Sequence, residues 1–276
     1  MKMYRGKWLV TILLIVGSLI FLLPFYVSLA MSLKTPQELA TTPAWSWPQQ
    51  VTWANYHEVL SNPNVKFAKL FSNTVIIATV ATFGVILSAS LVAYAFAKMK
   101  FAGRDRLFVV LLSTMMLPAI VTTIPTYYLF KELRWVNTIL PLTVPAFFGG
   151  GAFNIFLLRQ FFMGIPKELD EAAKMEGASH WTIYARIILP LSSSALATVG
   201  IFCFIYNWRD FMGPLIYLND PDKQTLELGL ATYNSLRAEQ WHLLMAGSVL
   251  VTIPLILIFL AGQRYFVKGL ALTGFK

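Results

Sequence analysis

Six long stretches of this chain contain no charged residue and no histidine, and this feature constrains the fold more than any other. The shortest stretch is 20 residues long, and a helix needs roughly 20 mostly apolar residues to cross a bilayer. The alternating segments of a membrane barrel are absent, so helices are expected. The stretches cover residues 8–33, 70–97, 107–130, 138–158, 188–208 and 243–262. The sequence therefore predicts an all-α integral membrane protein with six transmembrane helices.

The composition excludes the other main structural classes. Of the 276 residues, 57% are hydrophobic and 13% are charged, whereas a soluble domain carries about 25% charged residues. So few charges cannot cover a water-exposed surface, which excludes a soluble globule and a disordered chain. The single cysteine, Cys203, allows no intrachain disulfide and no thiolate metal site.

Lysine and arginine are distributed unevenly between the two sides of the predicted bundle. One side holds 14 of the 22 basic and five of the 13 acidic residues, and the other holds eight of each. Basic residues mark the cytoplasmic side, so both termini are expected inside. Membrane topology thus accounts for the positive net charge of the chain, and no nucleic acid partner is needed to explain it. The 14 residues are Lys2, Arg5, Lys7, Lys98, Lys100, Arg104, Arg106, Arg159, Lys167, Lys174, Arg186, Arg264, Lys268 and Lys276. External loops are then expected at residues 34–69, 131–137 and 209–242.

The N-terminus permits a second interpretation. Basic residues, an apolar run and Ser28-Leu29-Ala30 could together form a signal peptide with a cleavage site. The apolar run continues for 26 residues, which is longer than an ordinary signal core. We therefore expect the segment to remain as the first span.

Several chemistries have no residues to support them. The spans contain no ionisable group of the kind that couples proton pumps and many secondary transporters. The chain has no phosphate-binding loop, no H-E-x-x-H motif and only three histidines, His57, His180 and His242. No catalytic residue, cofactor or metal is therefore expected, and ATP hydrolysis would have to reside on another subunit.

Two groups of small residues lie within the spans. Gly84, Ser88, Ala89, Ala93 and Ala97 recur along the second span at a spacing that lets helix backbones approach closely. Three consecutive glycines, 149–151, interrupt the fourth span. For both groups we predict close helix packing, with local unwinding as the alternative at the glycines.

The polar connection between the fourth and fifth spans has the features of two short helices. Pro166 suits a first helical position, and Glu168, Asp170 and Glu171 place negative charge in the first turns. Leu169, Ala172 and Ala173 share a face, and Asp170 is spaced to pair with Lys174. Gly177 is expected to end this helix, and Ser179 to cap a second helix.

This connection resembles the EAA loop of importer-type ABC transporter permeases. The matching residues are Glu171-Ala172-Ala173, Gly177, Ile187 and Leu189-Pro190, at the family's spacing. Two other segments are similar to segments of this family: Thr52, Asn55 and Tyr56 match its external T-x-x-N-Y segment, and Asn73-Thr74 opens the second span as in family members. A third segment, Asn207-Trp208-Arg209-Asp210-Phe211 with Pro214-Leu215-Ile216, is similar to the W-N-D-F-x-x-P-L segment of the carbohydrate branch. This last segment departs from the order Trp, Asn, Asp, Phe of the carbohydrate branch. Here Asn207 precedes Trp208, and Arg209 separates Trp208 from Asp210.

The resemblance implies a fold, partners and site residues. Residues 1–276 would form one type I importer transmembrane domain, the six-span maltose-permease-like subunit, with the EAA loop at residues 164–187. Its implied partners are two ATP-binding cassette ATPase subunits, a second permease, an extracytoplasmic solute-binding protein, the carbohydrate substrate and the lipid bilayer. Implied ATPase-coupling residues are Glu171, Ala172, Ala173, Gly177 and Ala178. An implied gating loop toward the binding protein comprises Leu218, Asn219, Asp220, Pro221, Asp222, Lys223 and Gln224.

Other functions remain open from the sequence. A polyol or glycerol-phosphate importer would share the same loop, and the sequence does not name the sugar. A secondary transporter is disfavoured by the uncharged spans. A membrane enzyme is disfavoured because no acid, base or metal-binding cluster is visible.

Overall fold

The computed structural model describes residues 2–63, 66–236 and 240–273, and every regular element within these ranges is helical. The α-helices are α1 (Lys2–Ser32), α2 (Pro36–Thr41), α3 (Ala54–Ser61), α4 (Phe67–Lys98), α5 (Arg104–Ser113), α6 (Ala119–Glu132), α7 (Leu140–Thr143), α8 (Ala152–Met163), α9 (Lys167–Met175), α10 (His180–Ile183), α11 (Leu189–Leu191), α12 (Ser193–Trp208), α13 (Met212–Tyr217), α14 (Leu226–Leu236) and α15 (Trp241–Thr273). Short 3-10 helices span Thr114–Met116, Val144–Phe147 and Pro221–Lys223, and a π-helical segment spans Tyr184–Ile188. The predicted all-α class is confirmed.

Four helices are long and apolar enough to cross a membrane: Trp8–Ser32, Phe67–Lys98, Leu140–Met163 and Trp241–Gln263. Two bent pairs also qualify, Arg104–Met116 with Ala119–Glu132 and His180–Leu191 with Ser193–Trp208. Counting each pair as one span gives up to six in the described residues. Each of the six stretches predicted from the sequence overlaps one of these helices or pairs.

The first of the two bends has a local cause. The first pair is bent by 96° next to Pro118, where Leu117 has the extended conformation that a following proline imposes. Pro118 therefore accounts for the bend in the first pair. The second pair is bent by 77° at Ser192. The predicted start of the fifth span at residue 188 therefore falls inside a helical run instead of at its beginning.

The chain divides into two compact units, residues 1–68 with 229–254 and residues 69–228 with 255–276. In the first unit, residues 52–56 are hydrogen-bonded to residues 32–34 at the C-terminal end of α1. Asn55 Nδ2 donates to the carbonyl oxygens of Ser32 and Lys34, at 2.8 and 2.9 Å. The hydroxyls of Tyr56 and Ser32 lie 2.7 Å apart. The segment that resembles the family's external T-x-x-N-Y sequence therefore has a structural role.

Lys34 is fully buried next to this segment. Its ammonium donates to Pro43 O at 2.7 Å, to Ser46 Oγ at 2.7 Å and to Thr42 Oγ1 at 3.1 Å. Three neutral oxygens thus match the three donors of the ammonium, which offsets the cost of its burial.

In the second unit, the small residues of α4 allow a non-helical segment to approach closely. A Cβ added to Gly150 would lie 2.6 Å from Ala89 Cβ, and one added to Gly84 would lie 2.7 Å from the Phe147 ring. All three glycines at 149–151 have positive φ, which interrupts the helix before α8. Both predictions for the small residues, close packing and local unwinding, are confirmed.

Candidate functional site

The EAA loop, residues 164–187, folds into two short helices joined by a tight turn. Helix α9 begins after Pro166, which caps the helix instead of occupying its predicted first position. Gly177 has φ +83°. Its N–H donates to Lys174 O at 2.9 Å, and the N–H of Ala178 donates to Ala173 O at 2.9 Å. This pair of bonds is a Schellman motif, so the predicted glycine termination is confirmed.

The implied coupling residues are divided between two faces of this loop. Glu171, Ala172 and Gly177 are exposed, whereas Ala173 and Ala178 are half-buried and pack against the hydrophobic core of the second unit. Leu169 and Met175 lie on the exposed side with Ala172, and Met175 is 90% exposed. The loop therefore presents a surface of small and apolar side chains with Glu171 beside it.

A buried ion pair attaches α9 to the end of α4. Lys98 Nζ lies 2.8 Å from Asp170 Oδ2, and only 4% and 12% of the two side chains are exposed. The same ammonium donates to Ile165 O at 2.9 Å, immediately before α9. The sequence spacing predicted Lys174 as the partner of Asp170. The structure gives it Lys98 instead, a residue too distant in sequence for a helical spacing rule to identify.

Two further side chains of α4 contact the second part of the EAA loop. Tyr94 Oη lies 3.2 Å from His180 Nδ1, and Ser90 Oγ lies 2.7 Å from Tyr184 Oη. Ser90, Tyr94 and Lys98 are spaced by four residues and so lie on one face of α4. We call these three residues the polar ladder.

The polar ladder holds the EAA loop at three successive levels. Ser179 caps α10 by accepting from the N–H of Thr182, as predicted. The segment after α10 is π-helical over Tyr184–Ile188, a distortion found frequently at functional sites. The sequence analysis identified the alanines at positions 89, 93 and 97 but not the polar residues next to them on the same helix.

Residues 218–224 form a folded turn, which we call the tip segment. Asp220 Oδ1 accepts from the N–H of Asp222, which begins the short 3-10 helix of this turn. Leu218 is buried, and Asp220 and Gln224 are half-buried. The exposed members of the segment are Asn219, Pro221, Asp222 and Lys223.

Two asparagines fix the tip segment within the second unit. Asn73 Nδ2 donates to the carbonyl oxygens of Asp222 and Gln224, both at 2.9 Å. Asn137 Oδ1 accepts from the N–H of Asp220 at 3.0 Å, and its carbonyl accepts from Lys223 Nζ at 3.0 Å. The next residue, Thr74, has a similar role, because its Oγ1 accepts from the N–H of Leu226 at 2.8 Å. Both residues of the Asn73-Thr74 pair therefore bind the backbone at the end of the tip segment.

Two carboxyl groups in the region between α12 and α15 are partly desolvated. Burial raises the pKa of Asp210, although hydrogen bonds from the N–H groups of Gly213 and Met212 oppose the rise. Burial also raises the pKa of Glu227, and the charge of Arg209 acts in the opposite direction. Arg209, which departs from the family's order, thus supplies a countercharge for Glu227.

A cavity of about 610 Å³ lies in the second unit beside the glycine break. It is lined by residues of α4, α8 and α12, of the 3-10 helix Val144–Phe147 and of the glycine break that follows this helix. Aromatic rings and two asparagine amides make up much of its surface. The sequence analysis identified the glycines but did not predict a cavity.

Comparison with known proteins identifies the family of this chain. The profile of the family described as the inner membrane component of binding-protein-dependent transport systems matches residues 81–272. The chain belongs to this family. The matched region contains the EAA loop, the polar ladder, the tip segment and the cavity. The protein is thus a permease subunit of an ABC importer of the inner membrane.

Relatives over nearly the whole length agree with this assignment. The permease is 32% identical over 277 residues to the trehalose/maltose transport system permease protein MalG of Thermococcus litoralis, covering 99% of each chain. It is 33% identical over 229 residues to the arabinooligosaccharides transport system permease protein AraQ of Halalkalibacterium halodurans, covering 83% of this chain and 81% of AraQ. It is also 33% identical over 265 residues to the sn-glycerol-3-phosphate transport system permease protein UgpE of Pectobacterium atrosepticum, covering 94% of each.

A solved structure has the same fold. A chain from a bacterial ABC transporter involved in the import of the acidic polysaccharide alginate matches with a TM-score of 0.81. The match covers 95% of this permease and 97% of that chain, at 23% sequence identity.

Proposed function

We propose that this permease imports a carbohydrate, a di- or oligosaccharide, as one of two transmembrane subunits driven by two ATPase subunits. The observation that carries the coupling role is the EAA loop, which is a rigid pair of helices attached to α4 at three levels. A rigid attachment transmits displacement, whereas a flexible connection would absorb it. Movement of α9 by a partner would therefore move the end of α4 with it.

The exposed face of α9 is the proposed contact with the ATPase subunit. Small side chains such as Ala172 allow a helix to lie deep in a protein groove, and Met175 adapts to an irregular surface. Glu171 then meets a basic residue of the ATPase. Gly177 sets the direction of the loop that follows, while Ala173 and Ala178 pack against the permease itself.

The tip segment, residues 218–224, is the proposed contact with the extracytoplasmic binding protein. Its exposed residues are polar or small, and its backbone is held by Asn73 and Asn137. A fixed polar turn can enter the sugar-binding cleft of the binding protein and occupy the positions at which that protein binds the sugar hydroxyls. In this arrangement the permease lies in the cytoplasmic membrane of a bacterium or archaeon with both termini inside, as the distribution of basic residues predicts.

The substrate class is supported by two relatives whose names specify oligosaccharides, MalG and AraQ. Glycerol phosphate is the second candidate, since UgpE is equally similar to this permease. The two differ in charge, because a phosphate needs a cationic site and a neutral sugar does not.

Reconstituted uptake distinguishes the two substrates. The complete transporter in liposomes, with its own binding protein, is offered a labelled neutral oligosaccharide or sn-glycerol 3-phosphate. We expect the oligosaccharide to accumulate only when ATP and binding protein are both present. Accumulation of glycerol phosphate without any sugar uptake would establish the second candidate instead.

A further inference from the structure

The cavity beside the glycine break has an unusual surface for a membrane-spanning region. Phe148 and Tyr206 are 83% and 75% exposed, respectively, and Phe153 and Phe202 are also exposed around the same cavity. Apolar rings alone would suit lipid, but Asn154 and Asn207 also line the cavity.

The backbone at this cavity is not suited to contact with lipid. Residues 148–151 make no regular helix, and they lie near the middle of the apolar span Leu140–Met163. Non-helical backbone at membrane depth is tolerated only where it is covered by protein or lines a water-filled cavity. Contacts with α4 stabilise the helix break: Ser88 Oγ donates to Ala146 O at 2.7 Å, and Gly150 packs on Ala89. The cavity therefore opens to an aqueous path or to a partner chain, not to lipid.

The polar groups of the cavity are held in place. Asn207 Nδ2 donates to Cys203 O at 2.7 Å, and Asn154 Nδ2 donates to Gly150 O at 2.8 Å. These bonds fix the two amides on α12 and α8, respectively. The Asn207 Oδ1 and the Tyr206 hydroxyl are the groups with which a ligand could form hydrogen bonds.

Among the residues that the structure describes, no lysine, arginine, histidine, aspartate or glutamate lines this cavity. A phosphate or carboxylate entering it would lose its hydration without meeting a countercharge, which is costly. A neutral sugar has no such cost, because its hydroxyls can bond to amides and its apolar ring faces can lie on aromatic rings. The volume, about 610 Å³, lies within the range of small-molecule sites.

We propose that this cavity is a transient subsite for a neutral sugar ring on the translocation path, formed by this permease itself. The proposal rests on the importer function proposed above and adds a location and a charge class for the substrate. Tyr206 and Phe148 provide the stacking faces, and Asn207 provides an orienting hydrogen bond. The glycine break allows the backbone to border the path without a side chain intruding at that point.

Cysteine protection in the assembled transporter tests the subsite. Tyr206→Cys is compared with Tyr128→Cys, an exposed tyrosine on α6 that does not line the cavity. The parent, whose one cysteine is the buried Cys203, gives the baseline for labelling of this subunit. During turnover, a transported neutral oligosaccharide should slow labelling at position 206 and leave position 128 unchanged. Equal labelling with and without sugar at position 206 would overturn the subsite.

Transport kinetics supply the second readout. Loss of one hydrogen bond should raise the KM for uptake about 3- to 10-fold in Asn207→Ala, with the sugar affinity of the isolated binding protein unchanged. An unchanged KM in both Asn207→Ala and Tyr206→Ala would contradict the proposal. Absence of sugar uptake by the parent would instead contradict the proposed importer function. Protection of position 206 by sn-glycerol 3-phosphate and not by a neutral sugar would contradict the proposal that the subsite takes an uncharged substrate.

Discussion

Lys98 and Asp170 determine, at the scale of single residues, how the EAA loop is attached. Both side chains are almost completely buried and their charged atoms are 2.8 Å apart. Removing one partner would leave the other charge buried without compensation, which typically costs about 3–5 kcal/mol. The pair therefore fixes one position of α9 on the end of α4.

A double-mutant cycle measures this attachment. Lys98→Ala and Asp170→Ala should each lower the unfolding free energy of the purified permease, and the double variant should lose less than the sum. The coupling energy should be about 1–3 kcal/mol, in the upper part of the range of roughly 0.5–3 kcal/mol for residues in one network. The matched control is Arg104–Asp105, a pair at 3.0 Å with 31% and 76% of the side chains exposed. Its coupling should stay below about 1 kcal/mol, and equal coupling in the two pairs would contradict the account.

At the scale of elements, local sequence signals predicted caps and turns well. The Ser179 cap and the Gly177 termination depend on neighbouring residues only, and both occur as predicted. The partner of Asp170 and the polar ladder depend on contacts with α4 that span 72 to 94 residues of the sequence, so no local pattern contains them. Helix α14 was also not predicted, because its apolar residues follow a turn inside a stretch interpreted as a loop.

Gly177 offers a test of the turn in the EAA loop. Its φ of +83° is left-handed, and no atom of the described residues lies within 4 Å of an added Cβ. Substitution therefore acts through the backbone alone, at a cost of roughly 1–2 kcal/mol for an ordinary residue. Gly177→Val should reduce sugar uptake and binding-protein-stimulated ATP hydrolysis. Gly177→Asn should stay close to the parent, because asparagine tolerates this conformation. Equal transport by Gly177→Val and the parent, with normal assembly, would exclude a coupling role for this turn.

At the scale of the whole molecule, hydropathy and charge predicted most of the architecture. The length of each stretch without charged residues can be read directly from the sequence, and these stretches located all six candidate spans within the described residues. Bends and cavities depend on packing between distant segments. The 96° bend lies next to Pro118, and the 77° bend at Ser192 lies two residues after Pro190. The cavity lies beside the glycine break, where Gly150 packs on Ala89 of α4, an arrangement that the sequence of the fourth span alone does not reveal.

We expect the EAA loop to contact the ATPase, and the tip segment to contact the binding protein on the opposite side of the membrane. The most direct test attaches a benzophenone maleimide to Ala172→Cys or Asn219→Cys in the assembled transporter, with the parent as the baseline. Illumination should cross-link position 172 to the ATPase subunit and position 219 to the binding protein. Cross-linking of position 172 to the binding protein, or of neither position to its expected partner in a transport-active complex, would contradict the account.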